Sequence, residues 1–434
     1  MFKTLPELLS LTFDYTDSRP KFVGMKLLHN IRTFLVPLIF TVVPFALKAG
    51  GFQSNFNDVR SASMGGAFAP VATGSASVFA NPGAMAFQEL SSFSLGASFR
   101  LQANSFLSPY SGNFDSEKSL RPGILLSGLY KINEKSAAGI SVNTPFASYV
   151  KWADDWTGKY IAIESYTRTI CVQPAYSYQV SESFGIGGGP VIGLSKNFLS
   201  KAMPYGGASG PVMGEFEGKT TSYGFALGMY LASGEKFKMA LTYRSAMNAK
   251  IDNGEASFSN VPGSLAGEYP SSAGYTSEYK LPSVISAGAG YQLTRDLLLS
   301  VQLDYTGWKV YDEVNYTFEE ASQLNFNEEK NYKNVIALKF GARIHLNDKI
   351  EIMGGVGFDN SPVPDATVLP DNPDNDRFLL SLGGTIRFTE TIALDAGWQL
   401  ENYKEREVNN TSMQFSGSYK TISNNFGLAL NYEF

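Results

Sequence analysis

Hydrophobic and polar residues alternate along most of the chain from Ser91 to the carboxyl end. In the stretch 336–358, every second residue is apolar up to a break at Asn347–Asp348, and the alternation then resumes. The apolar positions are Ile336, Leu338, Phe340, Ala342, Ile344, Leu346, Ile350, Ile352, Val356 and Phe358. Because side chains of a strand point alternately to opposite faces, this stretch predicts a hairpin with one apolar and one polar face.

Similar alternation recurs to the end of the chain and predicts about fourteen strands, an even number as in bacterial membrane barrels. Short predicted turns lie near 133–134, 181–182, 233–234, 294–296, 347–348 and 389–390. Long predicted connections lie between them, near 104–121, 146–163, 197–219, 251–282, 307–333, 360–376 and 402–420. A soluble sandwich gives no reason for this strict alternation of lengths, whereas outer-membrane barrels have short periplasmic turns and long extracellular loops. We therefore predict an all-β fold, a transmembrane antiparallel barrel with its apolar face toward lipid.

The last residues, "NNFGLALNYEF", place five apolar side chains on one face and end on Phe434. A final strand that closes against the first would remove both sheet edges, as lipid requires. A terminal aromatic residue after such a strand is typical of proteins handled by the barrel assembly machinery, so we expect that machinery as a partner.

The amino-terminal region predicts export. From Met25, the positively charged Lys26 and Arg32 precede an apolar core at 34–47, and small residues follow at Ala49 and Gly50. This is the order of a secretory signal peptide. We assign 1–24 to a non-native upstream extension with the true start at Met25, and 25–49 to a signal peptide; the alternative is an inner-membrane anchor helix, for which the core is short.

Residues 50–90 do not alternate and are rich in Gly, Ala and Ser. They also contain many apolar side chains, more than a solvated tail carries: Phe52, Phe56, Met64, Phe68, Val78, Phe79, Met85 and Phe87. We predict that 50–90 is a plug, or hatch, inside a barrel formed by 91–434, rather than a disordered tail.

Composition narrows the function. The net charge of -5 and the lack of a basic run argue against nucleic-acid binding. Cysteine occurs once, and the predicted mature chain has a single histidine, His345, so neither a Ser-His-Asp triad nor a histidine-rich metal site can form. The acidic run "PDNPDNDR" at 370–377 has calcium-like spacing, but Arg377 stands where an EF-hand needs glycine, and we favour a loop held by Asp–Arg pairs. We expect no enzyme activity, no cofactor and no metal.

Several motifs resemble those of the FadL-type long-chain fatty acid transporters. The motifs are "GFQ" at 51–53, "MGGAFAP" at 64–70, "NPGAMAF" at 81–87, "NTPFASYVKWADDWTGKY" at 143–160, and the stretches 169–178, 281–308 and 357–384. In that family an Asn-Pro-Ala-like motif belongs to the hatch, and here Asn81 and Pro82 match it while Gly83 replaces alanine. Gly51, Asn81 and Pro82 are thus the predicted hatch motif.

The resemblance implies a barrel of fourteen strands that takes up a hydrophobic ligand passively. It implies capture in an outer groove between the third and fourth extracellular loops, 197–219 and 251–282, passage to a lumen pocket, and sideways release through the wall. Candidate ligand contacts are Phe52, Phe198, Leu199, Met203, Tyr205, Val212 and Met213. A carboxylate headgroup would need a cation, and Lys339 and Arg343 face the lumen by parity, although both could instead belong to a lumen salt network.

The expected ligand is a long-chain fatty acid or an aromatic hydrocarbon. The other expected partners are outer-membrane lipid and lipopolysaccharide, and the protein is expected to be a monomer in the outer membrane. Two alternatives stay open at this point: a non-selective polar porin, and a surface adhesin or structural barrel whose loops bind another protein.

Overall fold

The computed structural model describes residues 50–434 except 208–209 and 411–412. The predicted upstream extension at 1–24 and the predicted signal peptide at 25–49 lie outside the described residues. Within the described part, no helix is long and apolar enough to cross a membrane.

The described chain is mostly β-structure. The first ten strands are β1 (Ser92–Ser108), β2 (Gly112–Asp115), β3 (Ser119–Asn133), β4 (Ser136–Lys151), β5 (Glu164–Gln179), β6 (Phe184–Gly207), β7 (Gly210–Ser233), β8 (Phe237–Arg244), β9 (Met247–Ser259) and β10 (Ser272–Leu281). The others are β11 (Val284–Gln292), β12 (Leu297–Thr306), β13 (Glu313–Thr317), β14 (Phe326–Glu329), β15 (Val335–Asn347), β16 (Ile350–Asp359), β17 (Arg377–Arg387), β18 (Ile392–Tyr403), β19 (Arg406–Asn410) and β20 (Phe415–Glu433).

These strands form one closed antiparallel barrel. The first and last strands, β1 and β20, pair from Ser92 opposite Glu433 to Leu107 opposite Ser418. The short strands β2, β13, β14 and β19 lie within the long connections and are not part of the wall. Two wall positions are each formed by two consecutive strands, β8 with β9 and β10 with β11. The wall therefore has 14 strand positions, as the sequence predicts. Closure pairs the edges that lipid would leave unsatisfied.

The wall has an apolar outer face and a polar inner face. Leu382 in β17 and Leu428 in β20 are each 55% exposed on the outside. Ser381, next to Leu382, and its β18 partner Gln399 are fully buried, and a hydrogen bond of 3.1 Å joins their side chains on the inside. The predicted hairpin at 336–358 is β15 and β16, with the same arrangement. An outward apolar face of this kind is the lipid-facing surface of a membrane barrel.

Connection lengths differ between the two ends of the barrel. The predicted short turns are present at one end, where the backbones of Ser91 and Phe434 also hydrogen-bond to each other. The long connections lie at the other end, and 360–376 joins β16 to β17 with the predicted bounds.

The prediction of a long loop at 197–219 is wrong. Strands β6 and β7 run through this stretch, paired from Lys196 opposite Lys219 to Gly207 opposite Gly210. Likewise β9 and β10 occupy much of the predicted loop at 251–282. Leu199, Val212 and Phe216 are buried on the inner face of the β6–β7 hairpin.

The N-terminal segment, residues 50–90, lies against the inner face of the wall. It contains two short helices, α1 (Val59–Ser63) and α2 (Ser77–Ala80), and 3-10 turns at Ala69–Val71, Gly74–Ala76 and Pro82–Phe87. Helix α1 contacts β16, β17, β18 and β20, while the turn at Pro82–Phe87 contacts β4 to β7 on another side. Nearly all of its apolar side chains are buried.

Inner-wall glycines permit this contact. A Cβ added at Gly355 in β16 would lie 2.2 Å from the Met64 carbonyl carbon, and one at Gly187 in β6 would lie 2.4 Å from the Pro82 oxygen. Any larger residue would push the segment away from the wall. In the stretch "GIGGGP" at 185–190, Gly185 and Gly187 contact the N-terminal segment, whereas Gly188 and Gly189 lie against the neighbouring strands β7 and β5.

Candidate functional site

The wall opens between β3 and β4. Their ladder ends at Leu126 opposite Val142, although β3 stays paired with β1 and β4 stays paired with β5 beyond that point. Two prolines, Pro122 in β3 and Pro145 in β4, lie where the strands separate, and proline has no N–H to donate to a ladder. The β4–β5 register also shifts between Asn143 and Phe146. The wall therefore has a gap, bridged by the Arg121 guanidinium 3.3 Å above the Tyr149 ring.

The start of the N-terminal segment pairs with β4 at this gap. Gln53 and Phe146 form an antiparallel bridge. On either side of it, the Ala147 N–H donates to the Phe52 oxygen at 2.9 Å and the Ser54 N–H donates to the Pro145 oxygen at 2.8 Å. Residues 51–55, which we call the tail, thus hydrogen-bond to the strand that β3 leaves.

The tail is also held by the connection 360–376 and its surroundings. The Gly51 N–H donates to Asp374 Oδ2 at 2.9 Å, and Arg377 Nη2 donates to the Gln53 oxygen at 3.2 Å. Arg377 is buried and forms ion pairs with Asp359 at 2.6 Å and Glu401 at 3.1 Å. Arg377 therefore joins the tail to the inner wall.

These contacts explain the acidic run at 370–377. Arg377 pairs with Asp359 and Glu401 outside the run, while Asp371 in the run pairs with Lys330. The described residues contain no group of acidic, histidine and cysteine side chains that could hold a metal ion. Burial raises the pKa of Asp374 to about 6, above its usual range. This carboxyl accepts from Ser361 Oγ at 2.7 Å as well as from Gly51.

Phe52 lies at the centre of an aromatic cluster. Its ring centroid is 4.8 Å from that of Trp308, 5.3 Å from that of Tyr311 and 6.1 Å from that of Phe146, each edge-on. Gly51 beside it has φ +76, and a Cβ there would lie 2.7 Å from the Trp308 ring. Gly51 therefore allows the tail to bend and to pack directly against Trp308.

The structure brings most of the predicted apolar ligand contacts into one cluster with Phe52. Leu199, Met203 and Val212 are buried in it, and Met213 packs against it from the side. The other two predicted contacts differ: Phe198 is half-buried and Tyr205 is 57% exposed. The buried cluster runs from the β6–β7 hairpin through Phe216, Tyr275 and Tyr311 to the tail.

Three cavities accompany this cluster. The outer one, about 50 Å³, is lined by Phe198, Leu199, Tyr275 and Tyr311. A second, about 100 Å³, lies between the N-terminal segment and β7, β8 and β12. A third, about 240 Å³, lies at the gap between β3 and β4 and shares Ser54 with the second. Phe52 contacts Tyr311 of the first cavity and Phe146 of the second, so the tail lies between these two cavities.

The two predicted lumen cations are both buried, as their parity predicts. Lys339 Nζ forms an ion pair with Asp304 at 2.7 Å and donates to Asn55 Oδ1 at 3.1 Å. Lys339 lines the 100 Å³ cavity, whereas Arg343 lines none of the three. Lys339 therefore has a salt partner already, as the alternative interpretation holds.

Sequence reasoning missed Arg244, at the end of β8. It lines the 100 Å³ cavity, and its Nη2 donates to Gln173 Oε1 at 2.9 Å and to the Phe79 oxygen at 3.2 Å. Its Nε is buried without a hydrogen-bond partner, and among the described residues it has no ion pair. The sequence pattern does place Arg244 on the inner face, because Ala240, Thr242 and Arg244 alternate with the outward Leu241 and Tyr243.

The predicted hatch motif makes contacts within the segment and with the wall. Asn81 Oδ1 accepts from the Gly83 N–H at 3.0 Å, and its Nδ2 donates to the Met229 oxygen of β7 at 3.1 Å. Pro82 begins the following 3-10 turn. A Cβ at Gly83 would lie 2.7 Å from the Gly228 oxygen, so glycine permits closer wall contact here than alanine would.

Comparison with known proteins gives one family. Residues 40–434 match the family described as outer membrane protein transport protein (OMPP1/FadL/TodX). The long-chain fatty acid transport protein of Salmonella typhi is 23% identical over 89% of this chain and 94% of its own length. Outer membrane protein P1 of Haemophilus influenzae is 22% identical over 89% of this chain and 97% of its own length.

Solved structures share the fold. A Pseudomonas aeruginosa FadL homologue superimposes with a TM-score of 0.77 at 20% identity, covering 89% of this chain and 100% of the homologue. The Pseudomonas putida toluene transporter TodX gives a TM-score of 0.67 at 14% identity, covering 89% of this chain and 99% of TodX.

Proposed function

The chain belongs to the OMPP1/FadL/TodX family of outer membrane transport proteins, and from this membership we propose that it carries long-chain fatty acids passively across the outer membrane. It is an outer-membrane β-barrel, and its family consists of transport proteins and not of enzymes. Curated relatives are named long-chain fatty acid transport proteins, and solved relatives include a toluene transporter. Both names describe uptake of hydrophobic molecules.

The observation that carries the proposal is the apolar cluster that runs from the β6–β7 hairpin to the tail and the wall gap. Ligand capture is assigned to the inner face of this hairpin, at Leu199, Met203 and Val212, in place of a groove between two loops. Each buried methylene gains about 0.8 kcal/mol, so a modest apolar surface extracts an acyl chain from water. The driving force for passage is the concentration gradient.

The hatch role of residues 50–90 is part of the proposal. The tail separates the cavities, and its anchors at Asp374, Arg377 and β4 are few and polar. Displacement of Phe52 by a ligand would join the outer cavity to the two inner ones. The motif residues Asn81 and Pro82 hold the rest of the segment on the wall and do not need to contact the ligand.

Lateral release is assigned to the gap between β3 and β4. The 240 Å³ cavity reaches this gap, and Phe99, Pro122 and Tyr149 contribute to its lining. A ligand that leaves there enters the apolar part of the membrane directly and never meets bulk water. The tail hydrogen-bonds to β4 at the same place, so ligand arrival and opening of the gap would be coupled.

Arg244 favours a fatty acid over a neutral hydrocarbon as the ligand. It lines the 100 Å³ cavity without an acidic partner among the described residues, and a carboxylate there would satisfy its Nε. A charge-assisted bond to a carboxylate is about twice as strong as a neutral one. Lys339, already paired with Asp304, is assigned to the lumen network.

The test is uptake of labelled palmitate and labelled toluene by cells that lack their own transporters. The cells express the intact chain or a chain without residues 50–90, and insertion of each barrel is checked by heat-dependent mobility on a gel. Faster palmitate uptake with the intact chain supports the proposal, and an altered rate without 50–90 places control in the hatch. Absence of palmitate and toluene uptake by an inserted intact barrel overturns it and favours the adhesin alternative.

A further inference from the structure

A second break in the wall lies on its outer face between β7 and β9. Strand β7 pairs with β9 from Met213 to Glu217 and with β8 from Ala226 to Ser233, and on this side no ladder covers residues 218–225 of β7, which pair only with β6. Met247 and Ile251 are buried behind this stretch. On the outside an open cleft of about 530 Å³ remains, which we call the rim cleft.

Four cations from four neighbouring strands line the rim cleft. They are Arg168 of β5, Lys196 of β6, Lys219 of β7 and Lys250 of β9. Arg168 is directly opposite Lys196, and Lys196 is directly opposite Lys219. Like charges directly opposite each other destabilise a sheet, so this row has a cost that a bound anion would remove.

Among the described residues two carboxylates form ion pairs with these cations, and Glu278 lies directly opposite Lys250. Glu217 pairs with Lys196 at 3.1 Å and with Lys219 at 3.3 Å, and Asp252 pairs with Lys250 at 2.7 Å. The three lysine side chains are 44%, 71% and 60% exposed, so they can still contact a ligand. Exposed pairs of this kind are weak and do not prevent exchange of partners.

The rim cleft lies where the lipid-facing band ends. Lys196 is near the middle of β6, which has 24 residues. At a rise of about 3.3 Å per residue and a tilt of about 40°, this position is about 30 Å above the short turns, just beyond an apolar band of about 25 Å. The apolar Ile170 and Leu194 form the lower edge of the same cleft. A ligand here meets cations above and lipid-facing side chains below.

We propose that the rim cleft binds the phosphate groups of a phosphorylated glycolipid of the outer leaflet, of the lipopolysaccharide class. The phosphates contact Arg168, Lys196, Lys219 and Lys250, while the acyl chains lie along Ile170, Leu194 and the wall below. This site is on the outer surface and does not depend on the proposed ligand of the lumen, and Arg168 is shared with the lining of the 240 Å³ cavity. Phosphate is the anion that suits such a row, because each phosphate oxygen accepts charge-assisted hydrogen bonds.

The test measures lipid retention by the full-length barrel in detergent by native mass spectrometry. The probes are purified lipopolysaccharide, the same lipopolysaccharide after phosphatase treatment, and inorganic phosphate. The test variant is Lys196→Gln/Lys219→Gln/Lys250→Gln. The matched control is Lys135→Gln/Lys236→Gln/Lys349→Gln, with the same change in charge on exposed lysines at the short-turn end.

The wild type and the control are expected to retain the phosphorylated glycolipid, and the test variant is expected to bind it at least about tenfold more weakly. Phosphatase treatment should weaken binding to the wild type similarly. Equal retention by all three proteins, or equal loss in the control, overturns the proposal. Binding of inorganic phosphate that displaces the glycolipid at equal concentration overturns the lipid assignment in favour of free phosphate.

A single charge reversal provides a second test in case the triple variant does not insert into the membrane. Lys219→Glu alters a side chain that is 71% exposed, so the fold does not depend on it. It is expected to weaken glycolipid binding with unchanged heat-dependent mobility. Unchanged binding in this variant counts against the proposal.

Discussion

Arg244 is a half-buried cation for which the described residues supply no ion-pair partner. Its ring contact with Phe79, at 3.9 Å, and its bonds to Gln173 and the Phe79 oxygen satisfy part of the guanidinium and fix its position. The Nε has no hydrogen-bond partner, and a buried donor left unpaired lowers the free energy of unfolding. Such a group is well placed to recognise a carboxylate and poorly placed to recognise a hydrocarbon.

The first prediction concerns this residue. Arg244→Gln is expected to lower palmitate uptake by about ten- to a hundredfold, which corresponds to the loss of about 1.5–3 kcal/mol for a hydrogen bond to a charged group. Toluene uptake should stay close to the wild-type rate. Initial uptake rates of the two labelled compounds in one strain give the comparison.

The control for this prediction is Arg343→Gln. Arg343 is buried and faces the lumen, but it lines none of the three cavities. It should not change the ratio of palmitate to toluene uptake. If Arg244→Gln lowers uptake of both compounds equally, Arg244 has a structural role and does not select carboxylates.

Asp374 gives the second prediction, on stability against pH. Burial raises its pKa to about 6, whereas the value in an unfolded chain is about 3.9. The native protein therefore binds this proton more tightly, so the group stabilises the fold increasingly as pH falls from about 7 to about 4. The effect is limited to about 2–3 kcal/mol for a shift of about two units.

Asp374→Asn should remove this part of the pH dependence. The variant is expected to be more stable than the wild type at pH 7.5 and similar to it at about pH 4, because asparagine carries no charge to desolvate. Denaturant unfolding in detergent micelles at both pH values measures the difference. A constant difference between the two proteins across this range would contradict the assignment.

At the scale of elements, the tail and β4 act as one unit. Gln53 and Phe146 are opposite each other in an antiparallel bridge, flanked by the bonds of Phe52 and Ser54. In such a non-hydrogen-bonded pair the Cα atoms are about 4.5 Å apart, within the range that a disulfide spans. A crosslink between them can therefore form without moving the backbone.

The third prediction uses this crosslink. In a Cys171→Ser background, the Gln53→Cys/Phe146→Cys variant should transport palmitate when reduced and lose most transport when oxidised, because the tail can no longer leave β4. The sequence has one cysteine, Cys171, so its replacement leaves the added pair as the sole thiols. Uptake is measured before and after addition of a membrane-permeant reductant.

A matched single variant, Phe146→Cys in the same background, controls for loss of the phenylalanine ring. It should respond to neither oxidant nor reductant. Transport that continues in the fully oxidised double variant would show that tail release is not required.

The strands could be predicted from sequence because their signal is local. Alternation places Lys339 and Arg343 inside and Leu382 outside whatever the partner strands are, and the structure agrees. The extended β6–β7 hairpin escaped prediction because its apolar residues resemble those of a ligand-binding loop. Whether such an apolar stretch is strand or loop depends on its neighbours, here β5 and β9.

The site was predictable only in part. Phe52 and the hatch motif were located by resemblance to a family. The alternation of β8 places Arg244 on the inner face, but nothing in the sequence distinguishes it from other inward-facing residues. The wall gap was not predictable in position. Pro122 and Pro145 are far apart in sequence, and only the pairing of β3 with β4 shows that they face the same opening.

At the scale of the whole molecule, the barrel and the N-terminal segment depend on each other. The wall has glycines where the segment touches it, and a wall of this kind has little inner packing of its own at those places. The buried polar groups of the inner face, such as Gln302, bond to the segment backbone, with its Oε1 accepting from Ala69 N–H at 2.9 Å. Without the segment these groups would face water in an open lumen.

The last prediction follows from this dependence. Removal of residues 50–90 should convert a closed barrel into a water-filled one, because the wall alone has 14 strands and its inner face is polar. In planar bilayers the intact chain is expected to show little ionic conductance and the shortened chain stable open channels. Both proteins must first show heat-dependent mobility, so that unfolded material is not compared.

A third protein, the oxidised Gln53→Cys/Phe146→Cys variant, should stay as closed as the intact chain, since its lumen remains filled. High conductance of the intact chain would favour the porin alternative, while equally low conductance of the shortened chain would mean that the wall collapses and that the segment supports the barrel as well as closing it.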